Sequence, residues 1–375
     1  MPVRILHTAD NHIGLPFKQY PLDVGTRLAD ERFEALGRLV DIANTRRADF
    51  LVVAGDHFDS PRVKGADVDR TAALLRGFAG AAVIVVPGNH DHHAGPEAEP
   101  WKRFRREIAA AANIDLLASP EVKTYDLDGQ PVHFFPCPCP SKTGRESTIG
   151  WVAESARERH GLKIGIAHGN VPGLGLDAAD QYFRMDRTAL EAAGVATWLL
   201  GHIHVPFPTA EVGGQSTLFM AGTHTPDSLR CRHAGSAWWI ECEGSQVARY
   251  ERLSPGRLRF VRFERDLLAA DAADALVRDG SALDAAATVL DLQLSGRLST
   301  TERAALEAAI AKLRPDFLFV GVESAIHDRL DARQIADRYR SGGLAEQLLT
   351  ALLADADHPD AATLAHELIE QAAQA

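Results

Sequence analysis

Short apolar runs alternate with segments of helical periodicity along the first half of the chain. The apolar runs predict buried strands at 3–9, 50–54, 81–86, 132–135, 163–167 and 198–200. Apolar residues at helical spacing predict helices over 27–43 and 67–78. Later runs at 217–221 and 236–242 are expected to be strands of a second sheet that closes the core. Alternating strands and helices followed by antiparallel strands predict an α/β sandwich.

The composition becomes rich in alanine after Pro255, and a second alternation begins. It predicts strands at 257–264, 287–294 and 316–323, with helices at 271–278 and 300–313. Ser299 and Glu302 stand at capping-box spacing at the start of the second helix. We therefore divide the chain into a main domain over 1–255, a small α/β domain over 256–340 and C-terminal helices over 341–375.

Five of the predicted strands are followed directly by short polar motifs. These are Asp10-Asn11-His12, Asp56-His57-Phe58-Asp59, Asn89-His90-Asp91, His168 and His202-Ile203-His204. A single histidine after an apolar run is more often a core or surface residue than a ligand. Five such motifs in order along one chain argue against coincidence, and we expect them at the same end of one sheet.

Seven of these side chains supply carboxylate, amide and imidazole groups sufficient for two divalent metals. The predicted ligands are Asp10, His12 and His204 for one metal, Asn89, His168 and His202 for the other, and Asp56 as the bridge. This mixture of oxygen and nitrogen donors favours manganese, iron or zinc over calcium. Two dications, two carboxylates and a bridging hydroxide leave one positive charge, which attracts a phosphodiester.

The predicted chemistry is attack of a metal-activated hydroxide on phosphorus. His90, next to a ligand but not required as one, is the candidate to protonate the leaving oxygen or to stabilise the phosphoryl charge. Asp59 and Asp91 are candidates to orient the ligating imidazoles, with a solvated or helix-capping role as the alternative.

Composition limits the classes of function. The chain has 40 Lys and Arg against 51 Asp and Glu, a net charge of -11, so any polyanion must meet a local basic patch. Its four cysteines lack the paired spacing of a zinc knuckle and are interpreted as buried or idle thiols. Apolar runs are far shorter than the roughly 20 residues of a membrane span, and the start does not resemble a signal peptide. We expect a cytoplasmic protein.

The densest basic cluster is 101–106, Trp-Lys-Arg-Phe-Arg-Arg. It is a candidate phosphate contact. The alternative is the solvated face of a helix whose Trp101 and Phe104 pack inward.

The five motifs together resemble the signature of calcineurin-like metallophosphoesterases. The opening Ile-Leu-His-Thr-Ala-Asp-Asn-His-Ile-Gly and the Pro-Gly-Asn-His-Asp segment further resemble DNA repair exonucleases of the SbcD and YhaO type. The resemblance covers residues 3 to about 250. It implies a four-layer α/β/β/α sandwich with a smaller C-terminal capping domain, and a manganese-dependent nuclease of DNA that works with an SMC-like ATPase.

This resemblance also directs attention to surface cations as DNA contacts. The candidates are Arg62, Lys64, Lys102, Arg103, Arg105, Arg106, Arg230 and Arg232. Asp59 departs from relatives that carry a histidine at this place, so no catalytic role is transferred to it.

The sequence leaves two other functions open. The same metal centre would serve a phosphatase or a small-molecule phosphodiesterase, for example one acting on cyclic nucleotides. In a different class, the stripe Leu344, Leu348, Leu349, Leu352 and Leu353 would dock on the coiled coil of a partner, or else pack within the chain's own small domain. A homodimer is a further assembly that the sequence leaves open.

Overall fold

The computed structural model describes residues 2–174, 181–267, 272–355, 357–358 and 360–374. The chain divides into two compact units, one ending at Leu258 and the other beginning at Arg259. In the described part of the chain, no helix combines the length and apolar character that crossing a membrane requires.

The described residues of the first unit form twelve strands. They are β1 Val3–Thr8, β2 Phe50–Ala54, β3 Ala82–Val86, β4 Ile114–Leu116, β5 Lys123–Leu127, β6 Gln130–Cys137, β7 Leu162–His168, β8 Thr197–Gly201, β9 Val212–Gly213, β10 Leu218–Met220, β11 Ala237–Glu243 and β12 Gln246–Leu253. Its helices are α1 Leu22–Thr45, α2 Gly65–Leu75, α3 Trp101–Ile108, α4 Val152–Arg157 and α5 Arg187–Ala192.

The strands form two sheets. The larger has seven strands in the order β4-β3-β2-β1-β11-β12-β9, and the smaller has five in the order β10-β8-β7-β6-β5. Strands β1 to β4 are mutually parallel, as are β6, β7, β8 and β10. Parallel neighbours need crossover connections, which explains why buried helices separate β1, β2 and β3 in the sequence.

Three hydrophobic clusters show that the unit has four layers. Leu36 and Leu39 of α1 pack with Leu51 and Val53 on one face of the larger sheet. The opposite face of that sheet packs against the smaller sheet, and the outer face of the smaller sheet is covered by α4 and α5. The predicted α/β/β/α sandwich is therefore present. Strand β2 is buried on both faces, which is why it reads as the continuous apolar run 50–54 rather than as an alternating one.

One strand prediction is wrong in its pairing. The segments 217–221 and 236–242 are predicted to share one second sheet, but β10 lies beside β8 in the smaller sheet while β11 lies beside β1 in the larger one. Both segments are short and buried, and burial alone does not specify which distant strand becomes the neighbour.

In the second unit, the residues that the structure describes form three parallel strands, β13 Arg259–Leu267, β14 Thr288–Leu298 and β15 Phe319–Asp328, in that order. Its helices are α6 Ala272–Ser281, α7 Thr300–Leu313, α8 Ala332–Arg338, α9 Leu344–Leu353 and α10 Ala361–Gln374. The predicted capping box is confirmed, because Ser299 N donates to the Glu302 carboxylate at 2.8 Å and Glu302 N donates to Ser299 Oγ at 3.3 Å.

The leucine stripe of α9 is divided between the interior and the surface of the second unit. Leu349 is fully buried against Leu330, Ile335 and Ala362, with Leu352 and Leu353 packed beside it. Leu344 and Leu348 remain 84% and 45% exposed. Leu364 and Leu368 of α10 are also exposed. Part of the stripe therefore packs within its own domain, and the rest faces outward.

Candidate metal centre

The five polar motifs meet at the carboxyl ends of strands from both sheets. Asp10, Asp56 and Asn89 follow β1, β2 and β3 of the larger sheet, whereas His168 and His202 lie at the ends of β7 and β8 of the smaller sheet. The expectation that all of them share one sheet is wrong. The two sheets stack so that Nδ1 of His168 donates to the carbonyl of Ala54 at the end of β2, at 2.9 Å.

Asp56 lies between the two predicted sets of ligands. Its Oδ2 is 3.2 Å from Nε2 of His168 and 3.7 Å from Nε2 of His12. The side chain is almost completely buried, and its Oδ1 accepts a hydrogen bond from the amide of His90 at 2.8 Å. This carboxylate is therefore held in one orientation with an oxygen facing both sets.

The first set consists of Asp10, His12 and His204. Nε2 of His12 is 3.2 Å from Nε2 of His204, and Nε2 of His204 is 3.7 Å from Oδ1 of Asp10. Both carboxylate oxygens of Asp10 accept from the backbone amide of His202 at 3.0 Å. One potential ligand atom from each of the three residues lies within 4.8 Å of the other two, which is close enough for all three to bind a single cation.

The second set converges on Asn89. Its Oδ1 is 3.0 Å from Nε2 of His168 and 3.0 Å from Nδ1 of His202. Asn89 and His168 are buried, and His202 is partly exposed beneath the ring of Tyr182 at a centroid distance of 5.0 Å. An amide oxygen and two imidazole nitrogens thus point at one another.

The outward nitrogens of the imidazoles decide which atoms face the centre. Nδ1 of His168 donates to the Ala54 carbonyl, and Nδ1 of His204 lies 2.6 Å from Oδ2 of Asp227. Nε2 of each ring then faces the centre. Burial lowers the pKa of His12, which favours its neutral form. Two facing nitrogen lone pairs 3.2 Å apart repel unless a cation or a proton lies between them, so the donor set fits divalent metals.

The charges at the centre shift the pKa values of its members. Burial by itself lowers the pKa of His168, but the charge of Asp56 outweighs it and raises that pKa to about 9. Burial opposes ionisation of Asp56, yet His168 and His12 hold the pKa of its carboxyl well below its ordinary value. Burial likewise opposes ionisation of Asp227, and the hydrogen bond to His204 lowers its pKa well below the ordinary value.

Four of the predicted ligands have left-handed backbone conformations. The φ angles are 52° at Asp10, 41° at His12, 50° at Asp56 and 100° at His202. Such conformations are unfavourable for residues other than glycine, by about 1–3 kcal/mol each, and they concentrate at functional sites. Gly55 has a φ of 85°, and a Cβ there would overlap the ring of His168. The glycine before Asp56 is therefore required by the approach of the two sheets.

The three other predicted site residues lie beside the ligands. His90 is partly buried, its ring contacts His12 edge-to-face at 4.8 Å, and its Nδ1 donates to the carbonyl of Asp59 at 3.0 Å. Oδ1 of the Asp59 carboxylate is 3.4 Å from Nδ1 of His12, in the position of a group that orients this ring. His90 is also close enough to His12 and Asp56 for these three residues to form a potential ligand group.

Asp91 fastens two of the site loops together rather than orienting an imidazole. Its carboxylate accepts from the amide of Phe58 at 2.9 Å and from the amide of Gly88 at 2.7 Å. Its backbone carbonyl accepts from the indole of Trp101. Burial and the nearby charge of Asp56 raise the pKa of Asp91 to about 7. This residue thus links the motif after β2 to the motif after β3.

Sequence reasoning missed two charged residues next to the centre. Asp227 binds the outer nitrogen of His204, and the fully buried Arg32 donates to the carbonyl of His12 at 3.1 Å. A signal for Asp227 existed, because polar residues follow the strand β10 just as they follow the other site strands. The sequence contained no signal for Arg32, because this residue stands in a helix with an ordinary amphipathic pattern.

The eight candidate DNA contacts have different surroundings. Three of the cations on α3 form ion pairs: Arg103 with Asp69 through two hydrogen bonds, Lys102 with Glu97, and Arg106 with its neighbour Glu107. The fourth, Arg105, donates to the carbonyl of Pro96 and contacts the ring of His93. Trp101 and Phe104 are fully buried, as the alternative interpretation of this cluster predicted. Away from α3, the other four candidates are exposed: Arg62, Lys64, Arg230 and Arg232.

Two curated proteins are similar to the chain in sequence. One is the uncharacterized metallophosphoesterase YhaO of Bacillus subtilis, 27% identical over 213 residues that make up 53% of this chain and 48% of that protein. Another is the DNA double-strand break repair protein Mre11 of Aeropyrum pernix, 26% identical over 218 residues, 54% of this chain and 49% of that protein. The chain spans about half the length of the curated relatives that it matches.

Solved structures with similar folds include a dimetal phosphatase from Danio rerio, with a TM-score of 0.41 and 12% identity over 68% of this chain and 98% of that one. TT1561 of Thermus thermophilus has a TM-score of 0.37 and 14% identity over 59% of this chain and 90% of that one. In sequence, the family model for calcineurin-like phosphoesterases matches residues 3–206, more than half of the chain and all of its site motifs. The chain therefore belongs to the calcineurin-like phosphoesterase family, whose members are metal-dependent phosphoester hydrolases.

Proposed function

We propose that this phosphoester hydrolase is a manganese-dependent nuclease that cleaves phosphodiester bonds of DNA, in the context of DNA repair. The observation that carries the proposal is the position of Asp56 between two sets of nitrogen and oxygen ligands, at 3.2 and 3.7 Å from one histidine of each. Neutral Asn89 in place of a third carboxylate supports a substrate with a single negative charge per phosphate. The archaeal relative, named as a DNA double-strand break repair protein, supports DNA as the substrate.

The residues of the chain have distinct tasks in this reaction. Bound divalent cations supply Lewis acidity at the phosphoryl group and lower the pKa of the attacking water. Asp56 keeps the two sites at a fixed separation, because its own orientation is fixed by the amide of His90. His90 donates Nδ1–H to the Asp59 carbonyl and directs Nε2 towards the centre, where the imidazolium form is placed to donate the Nε2 proton to the leaving oxygen.

Exposed cations on two of the site loops support a polymeric substrate. Arg62 and Lys64 follow the Asp56 motif, between β2 and α2. Arg230 and Arg232 flank Cys231, whose sulfur lies 3.3 Å from Nε2 of His233. That ring nitrogen in turn donates to the carbonyl of the ligand His204 at 2.8 Å. These four side chains are the strongest candidates for DNA phosphates, since three of the α3 cations already pair with carboxylates and the fourth, Arg105, binds the Pro96 carbonyl and His93.

The second unit supports a proposal for a protein partner. Leu344, Leu348, Leu364 and Leu368 are exposed on two helices that pack against each other. In each helix the two leucines are four residues apart and lie on the same face. We propose that this apolar surface docks the coiled coil of an SMC-like ATPase.

The nuclease proposal is tested with purified wild-type and Asp56→Asn proteins in manganese. Labelled linear duplex, circular single-stranded DNA, a cyclic nucleotide and an aryl phosphodiester are offered in parallel. DNA cleavage by the wild type and its loss in the variant are expected. Cleavage of the small compounds alone would replace the nuclease with a small-molecule phosphodiesterase. Equal activity of the variant would assign the cleavage to a contaminant.

A further inference from the structure

The side chain of Arg32 is a buried cation at the back of the metal centre. It projects from α1, is fully buried, and donates to the carbonyl of His12 at 3.1 Å, to the carbonyl of Thr225 at 3.4 Å and to Oγ1 of Thr223 at 3.5 Å. All three acceptors are uncharged. A guanidinium stays protonated in proteins, and burying it without a carboxylate in direct contact is costly. Such a group requires an explanation beyond packing.

One arm of this hydrogen-bonding network reaches His12. The backbone of His12 is left-handed, with its amide donating to the carbonyl of Asp56 at 2.9 Å and its carbonyl accepting from Nε of Arg32. The peptide groups on both sides of this residue are therefore anchored. Because the ring direction depends on the backbone, Arg32 helps to aim Nε2 of His12 at the centre.

The other arm reaches His204 through the segment 223–227. Oγ1 of Thr223 donates to the carbonyl of Thr225 at 2.9 Å, and Arg32 binds both of these oxygens. From the opposite direction, Nε2 of His224 donates to the backbone carbonyl of Arg32 at 2.8 Å. The segment is thus clamped to α1 only two residues before Asp227, the residue that fixes the ring of His204.

The charges around Arg32 belong mostly to the same half of the centre. Burial lowers the pKa of Arg32, and the carboxylates of Asp227, Asp59 and Asp10 oppose part of that shift through space. Asp10 is a predicted ligand, Asp59 lies against His12, and Asp227 lies against His204. The hydrogen bonds of Arg32, together with Asp59 and Asp227, lead to His12 and His204, whereas Asp10 also lies within reach of Asp56 and His168.

We propose that Arg32 is a positioning residue for one metal site of the pair, holding His12 directly and His204 through Thr223, Thr225 and Asp227. The site formed by Asn89, His168 and His202 forms without its help. This inference concerns metal loading and holds for any phosphoester substrate, so it stands or falls independently of the nuclease proposal.

The test measures stepwise binding of Mn²⁺ to metal-free protein by isothermal titration calorimetry. Arg32→Met removes the charge and the donors while keeping an unbranched side chain. It is expected to weaken one of the two binding steps at least about tenfold, as loss of groups that orient metal ligands does, and to leave the other within about threefold. Arg32→Lys restores the charge but not the three-point donation, and is expected to recover part of the loss.

The matched control is Arg38→Met, on the same helix. Arg38 binds the buried Glu31 and the carbonyl of Pro255, so its loss disturbs the structure without touching a ligand. If Arg32 acts only on stability, both methionine variants will lower the unfolding midpoint in EDTA and leave the ratio of the two binding constants unchanged. That result would overturn the proposal.

Two further backgrounds identify the affected site. In His204→Ala, where the first site is already damaged, Arg32→Met is expected to cause no additional loss of metal affinity. In His168→Ala, the same substitution is expected to weaken the remaining site about tenfold. The reverse pattern, or equal losses in both backgrounds, would refute the assignment. If Arg32→Met fails to fold by circular dichroism, Arg32→Lys in the same two backgrounds decides the question by the same criterion.

Discussion

Nδ1 of His204 and Oδ2 of Asp227 are 2.6 Å apart, and this contact fixes which nitrogen of the ligand faces the metal centre. Asp227→Asn removes the carboxylate but keeps the size of the side chain. We expect Mn²⁺ affinity at one site to fall about 10- to 100-fold, because the ring loses both its orientation and its basicity. Metal titration of the metal-free protein measures this.

The control for that substitution is Asp41→Asn, at an exposed position on α1. Hydrolysis by the Asp227 variant should recover at high Mn²⁺, since the ligand itself is still present. Unchanged affinity in the variant would show that this contact does not orient His204.

His90→Asn tests whether His90 transfers a proton or binds metal. Its ring lies beside His12, and Nε2 can belong to a ligand group with His12 and Asp56. If it acts on the leaving group, the turnover number should fall about 10²- to 10⁴-fold while two metals remain bound per chain. Metal content after dialysis and steady-state kinetics provide the two measurements. Loss of one metal together with activity would make His90 a ligand instead.

The stability of the first unit should depend on pH through His7. This residue is fully buried between the sheets, with Nε2 3.2 Å from the carbonyls of Leu200 and Phe219, and burial lowers its pKa to about 4. In the unfolded chain His7 has its ordinary pKa of 6.5. Its contribution to the free energy of unfolding is therefore complete above that pH and is lost as the pH falls towards 4. Between pH 7.5 and 5 the loss is about 2 kcal/mol.

Urea denaturation of wild type and His7→Gln, both in EDTA, measures this contribution. Glutamine keeps an amide donor but does not titrate, so the difference in unfolding free energy between the two proteins should shrink by about 2 kcal/mol over that pH range. Parallel curves would show that His7 is not the group responsible.

Neutralising the exposed cations near the centre should weaken DNA binding in a salt-dependent way. For a variant with Arg62, Lys64, Arg230 and Arg232 changed to glutamine, each lost phosphate contact should reduce the slope of log affinity against log salt by about 0.9. Fluorescence anisotropy with a labelled duplex gives the slope. The comparison protein has Lys102 and Arg106 changed to glutamine, because Glu97 and Glu107 already pair with those cations. A larger effect in the comparison protein would place the DNA on α3.

Much of the secondary structure was predicted correctly from local sequence patterns. Strand 50–54 and helix 300–313 have the bounds that their periodicity and capping residues predict, because these signals come from neighbouring residues. Helix α1 begins at Leu22, five residues before the predicted start, since Pro21 and Leu22 carry no polar capping side chain to mark it. The sequence did not predict that β10 pairs with β8 and that β11 pairs with β1, because the partners of a strand can lie far away in the sequence.

The sequence by itself determined which residue types stand at the ends of the site strands, and hence that ligands for two metals are available. Only the tertiary structure decided that these strands come from two stacked sheets, and that Asp56 lies between the two sets. It also placed Arg32 and Asp227 beside the centre. Their contacts join residues that are distant in the sequence, such as Arg32 and Thr225, which are 193 residues apart. Periodicity and turn chemistry act between near neighbours along the chain, whereas the orientation of a ligand depends on whichever distant groups packing brings against it.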